Sequence, residues 1–218
     1  LREQIPVLKE LLGAMNIPLL MMEGYEADDL LGTVAGKSEA QGLDTVIVSG
    51  DRDLLQIATD KIMIRMPKTR KGVTEIENYY AQDVLAAYQV TPPQIIELKA
   101  LMGDASDNIP GVPGIGEKGA TALITAYGTI ENAYAHVEEI KQKRTREALR
   151  EHYDMAVMSK KLATICVEAP VALDLQEARL TDPYTEEAYE WCRRLNFRKY
   201  LERFEKRGTQ MPAGIRPE

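Results

Sequence analysis

Residues 103–122 read GDASDNIPGVPGIGEKGATA and lie between two segments of helical periodicity. Asp104 and Asp107 stand three apart, so one helical turn would present both carboxylates to one side. The glycines and prolines that follow stop such a helix, and their spacing suits a tight turn that opens a new one near Glu117. Free amides at a helix start attract phosphate, and Lys118 adds positive charge there. The stretch therefore predicts a hinge between a metal site and a site for a nucleic-acid backbone. A glycine-rich turn taken alone is usually a connector. Two further acidic clusters upstream, both where a loop runs into a helix, change its meaning.

The nearer cluster follows residues 43–49, LDTVIVS, an apolar strand whose carboxyl end leads into Asp51, Asp53 and a short helix at 54–58. Ligands collect at the carboxyl ends of strands in open parallel sheets. The farther cluster, YEADD at 25–29, puts Glu26, Asp28 and Asp29 in the first turn of a helix, a place that favours acidic residues in any protein. Around these, residues 1–16 predict a helix burying Ile5, Leu8, Leu11 and Leu12, and residues 19–22 a buried strand. Residues 61–66 predict another strand, and the basic turn 68–72 joins it to 73–76 as an edge hairpin. Strand and helix alternate with short connections over residues 1–90, which predicts an α/β core with a mainly parallel sheet flanked by helices.

Over residues 91–204 the texture is helical almost without strands. Segments 92–102, 117–127, 129–137, 145–166, 185–195 and 198–206 all repeat near 3.6 residues, as does 82–88 just before them. Residues 205–218 finish in a polar, Pro/Gly-rich stretch that predicts a flexible tail or linker.

With 218 residues the chain can bury a substantial core. It has no apolar run long enough to span a membrane, and its first helix lacks the apolar block of a signal peptide. Cys166 and Cys192 lie far apart in helical segments, which suits a reducing cytoplasm. His136 and His152 have no His or Cys partner at ligand spacing. The net charge of −7 does not exclude nucleic acid, because basic residues gather away from the acidic clusters: Lys68, Arg70 and Lys71, then Lys141 to Arg150, then Arg193 to Lys199. Taken singly, each run is a solvated face.

Glu26, Asp28, Asp29, Asp51, Asp53, Asp104 and Asp107 together offer oxygen ligands with no Cys or His beside them, which calls for hard cations, Mg²⁺ or Mn²⁺. Two such ions about 4 Å apart activate water and stabilise the leaving oxygen of a phosphodiester. With seven carboxylates for two ions, some of them act through metal-bound water.

YEADD at 25–29, VSGDRDLLQI at 48–57 and LMGDASDNIPGVPGIGEKGA at 101–120 resemble, in order and spacing, the downstream motifs of the bacterial 5′ nuclease domain within the flap endonuclease family. The resemblance runs to about residue 204. It implies a PIN-like core carrying two metal ions, followed by a helix-three-turn-helix region that grips duplex DNA. It implies metal ligation by the seven carboxylates, with Asp28, Asp51, Asp53 and Asp104 catalytic. It assigns Gly111, Gly114, Gly116 and Lys118 to the DNA-gripping turn, where a monovalent cation is also expected. A monomer in the bacterial cytoplasm, at the nucleoid and joined to a polymerase domain in the full-length protein, is the expected setting. The family opens with an apolar strand ending in a metal-binding Asp and then a basic helical arch. Neither precedes Leu1, so the first strand, one ligand and the arch are expected to be missing.

The leading reading is thus a structure-specific 5′ nuclease of 5′-ended or flapped DNA, serving replication and repair. The rival is a DNA-binding module that cuts poorly for want of the amino-terminal segment. A phosphatase or phospho-receiver is disfavoured: the chain has no D-x-D-x-[TV] motif, and that chemistry leaves the glycine turn unexplained.

Overall fold

The computed structural model describes residues 2–70 and 72–207. In chain order the elements begin with α1 (Gln4–Ala14), α2 (Ala27–Ala40), β1 (Thr45–Val48), a 3₁₀ turn (Asp53–Ile57), β2 (Ile62–Arg70), β3 (Val73–Tyr79) and α3 (Ala81–Tyr88). Then come α4 (Gln94–Met102), α5 (Glu117–Tyr127), α6 (Ile130–Ala135), a second 3₁₀ turn (Val137–Glu139), α7 (Lys143–Glu151), α8 (Tyr153–Ala163), α9 (Glu186–Arg194) and α10 (Arg198–Lys206). The described residues divide into two compact units, one drawn from the segments up to residue 21 and from residue 172 to 207, the other from the segment between them. The expected tail beyond residue 207 lies outside the described residues.

In the first unit, Leu11 and Ala14 pack with Ala188, Tyr189, Cys192 and Phe204. Thr185 fixes the join: its hydroxyl accepts from the Ala188 N–H at 3.0 Å and donates to the Ala14 carbonyl at 2.6 Å. Ile5 and Leu8, expected inside, are exposed, because the buried residues of α1 are confined to its last turn.

The second unit is built on a three-stranded mixed sheet in the order β1-β2-β3. β1 runs parallel to β2, Thr45 opposite Ile62, and β2 pairs antiparallel with β3 from Ile64↔Tyr79 to Arg70↔Val73. The hairpin is tighter than expected: pairing reaches Arg70, and the chain reverses at Gly72 with φ +79°. β1 is an edge strand. Ile47 is buried, but Val46 and Val48 are 49% and 64% exposed, so this apolar strand is buried on one face only. The strand expected at 19–22 does not form, and Leu19, Leu20 and Met21 are exposed. An apolar run becomes a strand only where a neighbour pairs its amides, and among the described residues these four have no such neighbour.

Helix α4 runs through the middle of this unit, packed on α8, α5 and the first 3₁₀ turn. Its sequence QIIELKALM is apolar nearly all round, as a helix buried on every side must be. The single helix expected at 145–166 is two, α7 and α8, broken at His152, and Cys166 lies in the loop beyond. The break escapes periodicity because Ala148 and Leu149 before it and Ala156 after it bury in the same core.

Candidate metal centre

The first 3₁₀ turn is wound by local side-chain bonds at the carboxyl end of β1. The Asp51 N–H donates to Ser49 Oγ at 3.1 Å, and the Asp53 N–H to Asp51 Oδ1 at 2.9 Å. Asp104 and Asp107 come from the loop after α4, which Asp104 and Ile109 close by two backbone hydrogen bonds of 2.8 Å. Gly103, at φ +74°, makes this closure possible, since a Cβ there would stand 2.6 Å from the Ile109 carbonyl oxygen. The helical turn expected to align the two aspartates is therefore a loop: α4 ends at Met102, with Gly103 its C-cap, before either aspartate is reached. They converge nonetheless. One carboxylate oxygen from each of Asp53, Asp104 and Asp107 lies within 4.8 Å of the others.

Into this trio α4 sends Lys99. Its ammonium donates to Asp53, stands 2.7 Å from Asp104 Oδ2 and lies 3.8 Å from Asp107 Oδ2. Lys99 is only 5% exposed. Its hydrogen bond and those of Ser106 hold the Asp104 carboxyl well below the usual carboxylate range. Lys99 gives no signal in the sequence beyond a lone cation on an otherwise apolar helix face.

The remaining carboxylates form a looser shell. The Asp28 carboxyl is pushed up, first by burial and then by the negative charges of Asp51, Glu26, Asp29 and Asp107. Asp29 is committed to backbone: Oδ2 accepts from the Glu26 N–H at 3.0 Å and Oδ1 from the Cys166 N–H at 2.8 Å. It thereby closes the start of α2 and pins the loop after α8, while Glu26 stands at the N-cap. The trio is all carboxylate, a donor set that fits a hard divalent cation.

The glycines of the downstream turn divide by role. Gly111 is buried at φ +63°, its N–H bonded to Ser159 Oγ at 3.0 Å, and a Cβ would sit 2.3 Å from the Gly103 nitrogen. That amide is already used inside the fold. Gly114 (φ +91°) and Gly116 are exposed, and Gly116 is the N-cap of α5. The first hydrogen bond of α5 runs from the Ala120 N–H to the Gly116 carbonyl, so the amides ahead of it point outward beside exposed Lys118. Arg144 of α7 reaches the same place, its Nε 3.5 Å from where a Gly114 Cβ would be. Among the described residues Lys118 and Arg144 carry no ion pair, whereas Lys68 pairs with Glu77, Arg150 with Glu138 and Arg193 with Glu190. Arg144 had been merged with its basic run, because only packing brings it to Gly114.

Comparison with known proteins places the sequence and the fold. The family description "5′-3′ exonuclease, N-terminal resolvase-like domain" matches residues 1–89, and "5′-3′ exonuclease, C-terminal SAM fold" matches residues 90–186. DNA polymerase I of Bacillus caldotenax is 46% identical over 94% of this chain, and that of Geobacillus stearothermophilus 44% over 100%. The chain spans about a quarter of the length of these relatives, 23% and 24%. Among solved structures, T5 5′-exonuclease with bound zinc shares the fold at a TM-score of 0.57 and 24% identity, covering 87% of this chain and 62% of that one. The catalytic core of Rad2 in complex with DNA substrate gives 0.61 and 18%, covering 94% and 69%. No helix among the described residues is long and apolar enough to cross a membrane. With both halves of the family pattern matched in sequence and the fold shared, the chain belongs to the 5′-3′ exonuclease family.

Proposed function

We propose that this chain is the nuclease part of a longer protein, hydrolysing phosphodiesters of 5′-ended or flapped DNA with Mg²⁺ or Mn²⁺, two ions in all, and that a polymerase domain shares the polypeptide. The observation that carries the reading is the convergence of Asp53, Asp104 and Asp107 from two separate loops at the carboxyl edge of the sheet. Divalent ions held there supply an activated water and charge stabilisation for the leaving oxygen. Asp53, Asp104 and Asp107 would hold one ion, and Asp28 with Asp51 would serve the second, since their mutual repulsion asks for a cation. Asp29 and Glu26 keep the start of α2 in place.

The turn at Gly114, Gly116 and Lys118, with Arg144 above it, takes the duplex backbone: outward amides and two unpaired cations suit phosphate and carry no base preference. The same turn, residues 111–116, is where the family resemblance puts a monovalent cation. Separating the two jobs tests the reading. Asp104→Asn should lower cleavage of a labelled 5′-flap duplex in Mg²⁺ by roughly a hundredfold or more while gel-shift affinity stays close to wild type. Lys118→Ala should weaken binding and reduce the magnitude of its salt slope by about one phosphate contact. Asp104→Asn protein that cuts at the wild-type rate would sink the metal-centre assignment.

A further inference from the structure

The trio that could take a metal ion already holds a cation of the chain's own. Three acidic oxygens within 4.8 Å of one another surround the Lys99 ammonium, which hydrogen-bonds Asp53 and stands 2.7 Å from Asp104 and 3.8 Å from Asp107. The side chain is 6% exposed, so water screens these contacts little. The backbone of Lys99 is fixed, because its helix is packed in the unit core, with Leu98, Ala100 and Leu101 buried on either side in sequence, so displacement means a swing of the lysine side chain alone. A divalent ion held by these carboxylates would compete with this ammonium for the same oxygens.

We propose that Lys99 is a resident counter-cation and a positioning residue: it keeps Asp53, Asp104 and Asp107 assembled without metal and is displaced when a divalent ion enters. This rests on the reading of the trio as a metal site. One ammonium leaves the three carboxylates with two excess negative charges, enough to attract a divalent ion yet too few to scatter the loops. Entry of the ion is then an exchange of one cation for another. The cost of that exchange sets how tightly the site holds metal, and the sign of the effect distinguishes it from a structural ion pair, whose loss would loosen the metal site along with the fold.

The test is direct metal binding, read without activity. Metal-free wild type, Lys99→Met, Lys99→Arg and Asp104→Asn are titrated with Mn²⁺, following the EPR signal of the free ion, with circular dichroism to verify folding. Lys99→Met should bind at least about tenfold tighter than wild type, because a positive charge a few ångströms from the ion has gone, and should melt lower in EDTA. Lys99→Arg should bind no tighter than wild type. In ¹⁵N-lysine protein, the Lys99 ammonium signal, identified by its absence from Lys99→Arg, should move when Mg²⁺ is added to wild type. This last reading needs no Lys99→Met protein, should that variant fail to fold. Folded Lys99→Met binding Mn²⁺ as wild type does, or more weakly, overturns the inference, as does an ammonium signal indifferent to Mg²⁺. If wild type binds Mn²⁺ and Asp104→Asn does not, the metal reading stands whatever becomes of Lys99. If neither wild type nor Lys99→Met binds, both fall together.

Discussion

Helix α4 buries two charges two residues apart, and they meet different company. Glu97, 6% exposed, accepts from the Ile130 N–H at the start of α6 and pairs with Lys160 at 2.6 Å. Lys160 also reaches Glu131 at 2.8 Å, and Glu131 is half open to water. There the buried carboxylate itself is balanced by an ammonium and a helix-start amide, and the one excess negative charge of the group falls to the exposed Glu131. Lys99, on the far side of the helix, faces three carboxylates, with Asp28 and Asp51 beyond them. That group is left with surplus negative charge. The Glu97 group joins α4 to α6 and α8, whereas the Lys99 group keeps a surplus of negative charge that, on the proposed reading, a divalent ion offsets.

The sharpest way to break this contrast is to unbalance the first group. Lys160→Met leaves Glu97 buried without its ammonium and should cost about 3 kcal/mol of stability. Urea unfolding should show the same loss in EDTA and in Mg²⁺, since no metal enters that region. A loss that Mg²⁺ repairs would mean the two groups are coupled and the contrast is false.

A somewhat smaller effect belongs to the second group. At a hundredfold excess over its dissociation constant, Mg²⁺ should stabilise the chain by about 2.7 kcal/mol, seen as a rise in melting temperature. Asp104→Asn should lose most of that rise, and Lys160→Met should keep it. Equal melting of the wild type with EDTA and with Mg²⁺ would show that the acidic loops do not form a cation site.

The smallest effect is in pH. Asp28 is raised in the fold, so its contribution to stability is full below its unfolded value near 3.8 and is lost as pH rises through the raised one. Asp104 is lowered, so its contribution is present above 3.8 and is lost as pH falls through its folded value. In EDTA the melting temperature should therefore rise on mild acidification from pH 7 and fall again in stronger acid. Mg²⁺ should flatten the rise, and Asp28→Asn should abolish it. A metal-free protein that melts highest at pH 7 or above would deny the crowding of Asp28.

Local chemistry made part of this molecule legible. The ends of α5 and α10 and the acidic clusters at 26–29, 51–53 and 104–107 follow from periodicity, breakers and caps that act within a few residues. The expected strand at 19–22 could not be settled that way. A strand exists by virtue of its partner, and pairing is a long-range fact. The same holds for burial of Val46 and Val48, and for the break at His152, where two helices share one core.

Within the site, sequence alone determined which residues could carry negative charge and where the chain must turn. Tertiary structure decided what each of them meets. It put Asp53 beside Asp104 and Asp107, spent both oxygens of Asp29 on backbone 3 and 137 residues away in sequence, and closed the Gly111 amide onto Ser159. It also turned Lys99, a lone cation in an apolar helix, into the centre of the acidic trio, and laid Arg144 over Gly114. The physical reason is range. Capping and turn preferences are set by neighbours along the chain, whereas the field at a carboxylate is set by whatever the fold places within a few ångströms of it.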